Sequence, residues 1–169
     1  MKLKYFEKVV LILLIVIITT VGYSLNSDLK GKVDVKKLIE EEKINDLSLT
    51  IYYMESSVLT NIPLDVEHLM NNVLTKKIVV SGSDLEENLD LFKKINLEEL
   101  TLIKECTSYY LDARIYYILE SKSNGQLLEV VIGGFNPDEG KSCVWLNDYQ
   151  VEDCAILYDV ISPFLPATL

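Results

Sequence analysis

The sequence predicts an α+β domain: a mostly antiparallel sheet of about five to seven strands with helices packed on it, preceded by an N-terminal helix that inserts into a membrane. Three observations predict it. Several segments alternate apolar and polar residues at the period of two that a half-buried strand requires. Others carry apolar stripes at the helical period. Ahead of them all, an unbroken apolar run, residues 9–18, follows a short basic lead.

That lead reads Met-Lys-Leu-Lys-Tyr-Phe-Glu-Lys, and the apolar run continues into the milder Thr19, Thr20, Val21, Gly22 and Tyr23. Basic lead and apolar run together are the signature of a secretion signal or a signal anchor. A helix buried in a soluble core would show a polar face at its 3.6-residue period, and residues 9–18 show none. A spanning helix needs about 20 apolar residues. Residues 9–23 fall short of that, and Tyr5 and Phe6 extend them. Small residues suited to cleavage end at Gly22 or Ser24, neither in an A-x-A pattern, so a retained anchor is favoured over a cleaved signal. No Cys follows the run to take a lipid. Lys30, Lys32, Lys36 and Lys37 lie just beyond it and oppose export by the count of nearby cations, but long domains translocate largely regardless of that count. The expected organisation is therefore a signal or anchor over 1–23, a tether over 24–33 and one globular domain over 34–169. The domain stands outside the cytoplasm on the cell membrane, or is secreted if the signal is cleaved.

Composition narrows the partners. The chain holds 26 acids against 16 Lys and Arg, and from Ser24 onward the balance is 25 to 13, a net of −12. Such a charge repels phosphate backbones and excludes nucleic acid. With 49% hydrophobic residues and ten Tyr, the chain is not an acidic disordered tail.

Within the domain, residues 34–44 form a short charged helix with Val35, Leu38 and Ile39 on one side. Leu47, Leu49, Ile51 and Tyr53 alternate with Ser48, Thr50, Tyr52 and Met54 in the first strand. A loop ending at Pro63 leads to a helix over 65–72 and a short strand over 77–81. Ser83, with Glu86 three residues on, caps a single helix reaching Ile95, whose apolar stripe is Leu85, Leu89, Phe92 and Ile95. Residues 100–105 make another strand. In the next, Tyr109, Leu111, Ala113, Ile115, Tyr117 and Leu119 form one uncharged face against Tyr110, Asp112, Arg114, Tyr116, Ile118 and Glu120 on the other. Asn124-Gly125 signals a two-residue hairpin turn into a return strand over 126–135, a register that sets Tyr117 opposite Ile132, Leu119 opposite Val130 and Tyr116 opposite Gly133. A smaller hairpin over 143–151 has Asn147-Asp148 at its tip. The chain ends in a helix from about Glu152 with the stripe Ile156, Leu157, Val160, Ile161 and Phe164.

Motifs that carry chemistry are scarce. His68, the single histidine, sits among Asp65, Glu67, Asn71 and Asn72 on a helix and reads as a surface position. Ser27 and Lys30 match S-x-x-K but lie in the tether, without the strand and helix context such a nucleophile needs. Gly82 has neither the glycine spacing nor the Lys of a phosphate cradle. Glu120 and Glu129 fall opposite each other in the expected register, with Lys122 near to relieve them, as on a solvated edge. Asp138, Glu139, Asp148, Glu152 and Asp153 fit no calcium loop. Cys106, Cys143 and Cys154 show no metal spacing and, being odd in number, no disulfide framework. No cofactor is implied.

One surface stands out. Arg114, the single arginine, lies mid-strand between Asp112 and Tyr116: an ion pair with Asp112 or with an acid of a neighbouring strand explains it structurally, and the functional alternative is a recognition face on which, with Tyr52, Tyr110, Tyr116 and Trp145, it presents flat rings and one cation to a partner. An exposed Arg114 of this kind contributes little to stability. The leading expectation is a non-enzymatic, membrane-tethered or secreted domain that binds a protein, peptide or cell-envelope component. The rivals are a hydrolase using acids on an envelope polymer, and a structural accessory subunit of a membrane complex.

Overall fold

In the computed structural model the strands hydrogen-bond into one antiparallel sheet, flanked by a few short helices. The structure describes residues 34–55, 57–96, 100–102, 112–136, 141–147, 149–152 and 155–166. The expected membrane helix, the tether, Tyr110, Cys106 and Cys154 all lie outside the described residues.

Helix α1 (Val35–Glu40) begins at Asp34, whose carboxylate accepts from the Lys37 N–H at 3.1 Å, and it buries Val35 and Ile39. Strand β1 (Leu47–Tyr53) follows with the alternation its sequence requires, every odd position buried. Helix α2 (Val66–Asn71) leads to β2 (Lys76–Ser81). Two short helices come next, α3 (Ser83–Glu86) and α4 (Leu89–Phe92). Strands β3 (Thr101–Leu102), β4 (Ala113–Ser121), β5 (Gly125–Asn136), β6 (Lys141–Leu146) and β7 (Tyr149–Glu152) complete the sheet, and α5 (Ala155–Asp159) with a 3-10 turn at Ser162–Phe164 ends the described chain. The spatial order is β2-β1-β4-β5-β6-β7-β3.

One face of the sheet holds the main core. Leu49, Ile51, Tyr117, Leu119, Leu128 and Val130 are fully or almost fully buried there. Val35 and Ile39 of α1, Leu85 of α3, Phe92 of α4 and Leu157 of α5 pack over them. Each such side chain contributes about 1.5–3 kcal/mol by leaving water. The opposite face carries a second, smaller cluster: Met54, Leu64, Leu69, Ala113, Tyr116 and Val131. Leu69 belongs to α2, so helical cover is not confined to one side.

Three local expectations are corrected. The helix expected from Ser83 to Ile95 is broken: Asn88 leaves helical geometry at φ −113°, ψ 0°, and its side-chain amide reaches the Asp84 carbonyl at 3.3 Å. Ser83 is not the cap. Gly82 occupies that position at φ +62°, a conformation open to glycine at no steric cost.

The β4–β5 register is also displaced. Tyr117 faces Val130, Leu119 faces Leu128 and Tyr116 faces Val131. Ser121 pairs with Gly125, which takes φ +71°, so the turn runs through Lys122, Ser123 and Asn124 instead of centring on Asn124-Gly125. A bulge then places Leu127 and Leu128 side by side in the core. In this register Glu120 faces Gln126 and Glu129 faces Ile118, so the two acids are not opposite each other. A second irregularity, at Arg114 between Ala113 and Ile115, reverses the alternation and turns Ala113 to the smaller cluster.

The reason for the altered turn is Glu42. Just beyond α1, its carboxylate accepts from the Ser121 hydroxyl at 2.5 Å, from the Ser123 hydroxyl at 2.9 Å and from the Asn124 amide. Lys122 donates to the Asn45 carbonyl at 2.7 Å and lies 3.6 Å from Asp46, which draws it away from Glu120. The hydroxyl and amide donors, Ser121 first, hold the Glu42 carboxyl below its ordinary value. A lowered folded-state value stabilises the fold above the ordinary carboxylate range, and that stability is lost as the pH falls through the lowered value. Glu42→Gln keeps an acceptor and removes the charge. It is expected to flatten the acid limb of a stability profile as the pH falls below the ordinary carboxylate range; a limb unchanged from the parent chain would show that other carboxylates govern it.

Candidate functional site

Residues 55–64, ESSVLTNIPL, have neither strand nor helix period, yet the chain must return from the end of β1 to the start of α2. Asp112 and Arg114, either side of the first residue of β4, hold it down. The Met54 N–H donates to the Arg114 carbonyl at 2.9 Å. At the far end, Leu64 donates its N–H to Asp112 Oδ1 at 3.1 Å and accepts from the Ala113 N–H at 2.7 Å. Between those points the guanidinium bridges inward. Nε and Nη2 donate to Asp112 Oδ2 at 2.9 and 2.7 Å, while Nη1 donates to the Val58 carbonyl at 2.8 Å. Nη2 also lies 3.4 Å from Thr60 Oγ1 and Nη1 3.5 Å from Met54 Sδ. Only the planar fork of an arginine serves a carboxylate and a loop carbonyl together.

The loop delivers the chain to α2 at Asp65, whose Oδ1 accepts from the His68 N–H at 2.7 Å while Oδ2 lies 2.8 Å from His68 Nδ1. The backbone N–H, then the imidazole, hold the Asp65 carboxyl below its ordinary value. Beyond α2, Asn72 Oδ1 accepts from the Leu74 N–H at 2.9 Å, a tight turn that projects Val73 outward.

Loop, α2 and turn enclose an open groove of about 680 Å³, lined by Leu59, Thr60, Asn61, Ile62, Leu64, Glu67, His68, Asn71, Asn72 and Leu74. Its rim is apolar. Leu59 is 92% exposed and Val73 95%, with Ile62 and Leu74 more than half exposed. Large side chains left this open cost solvation in the free protein, and exposed apolar surface rimmed by polar groups marks interaction sites. The polar groups here are the amides of Asn61, Asn71 and Asn72, the Thr60 hydroxyl, and the charged Glu67. Asp65 on Nδ1 orients the His68 ring as a base would be oriented. No Ser or Cys lines the groove, however, and the Thr60 hydroxyl faces the Arg114 guanidinium.

Of the residues singled out from sequence, Arg114 holds the loop and Tyr116 lies in the cluster that also takes Leu64 and Leu69, Tyr52 and Trp145 pack against that cluster, and Tyr110 lies outside the described residues. Lys77, Tyr52, Tyr116, Val131, Trp145 and Gln150 form one row across six strands. The Tyr52 and Tyr116 rings stack at 6.1 Å and 27°, and the Lys77 ammonium lies 5.0 Å from the Tyr52 ring centre. Tyr116 is only 6% exposed and donates to Glu129 Oε1 at 2.8 Å; burial first, then Glu129, pushes its hydroxyl pKa well up. Glu129 also accepts from the Gln126 amide at 2.7 Å, so both of its oxygens are engaged within the fold. Arg114 is spent on the loop. Tyr52 and Trp145 remain half-buried at the flanks of the second cluster. The groove itself was missed from sequence, although a signal existed: Leu59, Ile62, Val73 and Leu74 belong to no periodic stripe.

Among the described residues no helix is long and apolar enough to cross a membrane, and no group of three or more His, Cys, Asp or Glu is placed to hold a metal ion. Comparison with known protein families, curated proteins and solved structures finds no match for the chain.

Proposed function

We propose that this chain is a non-enzymatic binding domain, tethered to a membrane by its N-terminal apolar segment, with the domain outside the cytoplasm. The groove between the 55–64 loop and α2 takes a protein or peptide of the envelope. The observation that carries this reading is the set of open apolar side chains lining the groove, Leu59, Ile62 and Leu74, with the exposed Val73 between two lining residues in the adjoining turn. The aromatic row serves it indirectly. Tyr116 and Arg114 give the loop and helix a firm floor, and Tyr52 and Trp145 extend apolar surface from the flanks. The two acids that would face each other in a hydrolase, Glu120 and Glu129, are separated by the register.

The test is site-specific crosslinking in the full chain in its native membrane. A photoreactive residue replacing Val73 is expected to capture a discrete protein adduct, and the same residue replacing the exposed Glu87 of the α3–α4 junction is not. Equal labelling at both positions, or none at Val73, would refute the groove as a binding surface.

A further inference from the structure

Resting on the reading above, we infer that the groove selects a partner segment that is apolar and carries Lys or Arg, a cationic amphipathic stretch of another protein. The argument is one of charge. Ten residues line the groove, and none is Lys or Arg. Its one carboxylate, Glu67, is exposed and forms no ion pair among the described residues. The nearest acids and bases in sequence are already matched within the fold: Asp65 is held by His68, Glu55 by Lys76, and Lys77 lies over Tyr52. Glu67 is thus the charge left over at the rim of an apolar trough.

The surroundings point the same way. From Ser24 onward the chain carries a net charge of −12, a field that draws cations in and slows the approach of acidic segments. Anionic lipid headgroups would be repelled by the same field, which disfavours a bilayer surface as the occupant. A second copy of this chain would bring another −12 with it. A cationic apolar segment is the chemistry that meets both features: its side chains cover Leu59, Ile62, Val73 and Leu74, and its cation answers Glu67.

The experiment uses the full chain in detergent micelles and three synthetic twelve-residue peptides of one pattern, in which the polar positions are all Lys, all Ser or all Glu and the apolar positions are all Leu. The Leu/Lys peptide is expected to bind at least tenfold more tightly than Leu/Glu. Leu59→Ser with Val73→Ser should weaken Leu/Lys and Leu/Ser alike, tenfold or more. Glu67→Gln should weaken Leu/Lys about three- to tenfold and leave Leu/Ser unchanged, while Glu87→Gln, which changes net charge equally, should do neither. If Leu/Ser binds as well as Leu/Lys and Glu67→Gln is silent, the charge selection is overturned while the groove stands. If no peptide responds to the Leu59 and Val73 replacements, the groove itself fails. Two further results overturn the proposal in favour of another occupant. One is tighter binding to vesicles of phosphatidylglycerol and phosphatidylethanolamine than to any peptide. The other is a concentration-dependent dimer in sedimentation that the Leu59 and Val73 replacements abolish.

Discussion

Replacing Tyr117 with Ala is expected to destabilise the domain by about 3–5 kcal/mol. Tyr117 is fully buried at the middle of β4, between Ile51 of β1 and Val130 of β5. Its hydroxyl donates to the Leu157 carbonyl at 2.8 Å, so the same side chain fills the main core and fastens α5 to the sheet. Truncation leaves a cavity that close-packed neighbours only partly fill, and it strands a carbonyl of α5 without its donor. Tyr117→Phe separates the two effects: it keeps the ring and should cost roughly 1–2 kcal/mol. Urea unfolding of both variants checks this through the midpoint at an unchanged slope. Similar midpoints for the Ala and Phe variants would mean that the ring contributes little and the fold has been misread there.

Arg114→Ala is expected to cost roughly 2–3 kcal/mol, the outcome of an arginine paired with an acid and not of an exposed recognition residue, because removing the guanidinium leaves Asp112 as a half-buried charge and frees the loop. The loss should be local before it is global. Residues 55–64 are expected to become open to proteolysis and hydrogen exchange while Tyr117 and its neighbours stay protected. Arg114→Lys should not rescue the loop, since one ammonium cannot span the Asp112 carboxylate and the Val58 carbonyl. Binding at the groove should fall in step with loop order in both variants. A loop that keeps its protection without Arg114 would show that the backbone bonds at Met54 and Leu64 suffice.

The strands were legible because their signal is local. Leu47 to Tyr53 alternates cleanly, and a period of two needs no partner to be read. The registers were not legible. A glutamate from a segment some eighty residues away enters the β4–β5 turn and changes which residues form it, and no feature of Asn124-Gly125 records that contact. The bulge at Arg114 is similar: an extra residue on one strand reverses the alternation, and sequence counting passes straight through it. Helix 83–95 was overestimated because its stripe is regular while Asn88, a poor helix former, interrupts the hydrogen-bond ladder. At the candidate site the sequence pointed to Arg114 and Tyr116 as unusual, and they are, as supports of the loop. The surface they support escaped notice because apolar residues in a loop have no period, and only burial distinguishes an exposed Leu59 from a buried Leu64.

The grip of Glu42 on the β4–β5 turn also decides how this domain answers to tension. A pull arriving at residue 34 loads α1 first, a six-residue helix seated through Val35, Leu38, Ile39 and, just beyond it, that one carboxylate. Such a contact peels at modest force. The next segment in line is β1, bonded along its length to β2 on one side and β4 on the other, and stretching it sets two ladders in shear together. The domain should therefore yield in two stages, a soft give of the first turn and a half and then a stiff resistance. The groove beyond β1 would keep its shape through the first stage, with α1 giving way ahead of it.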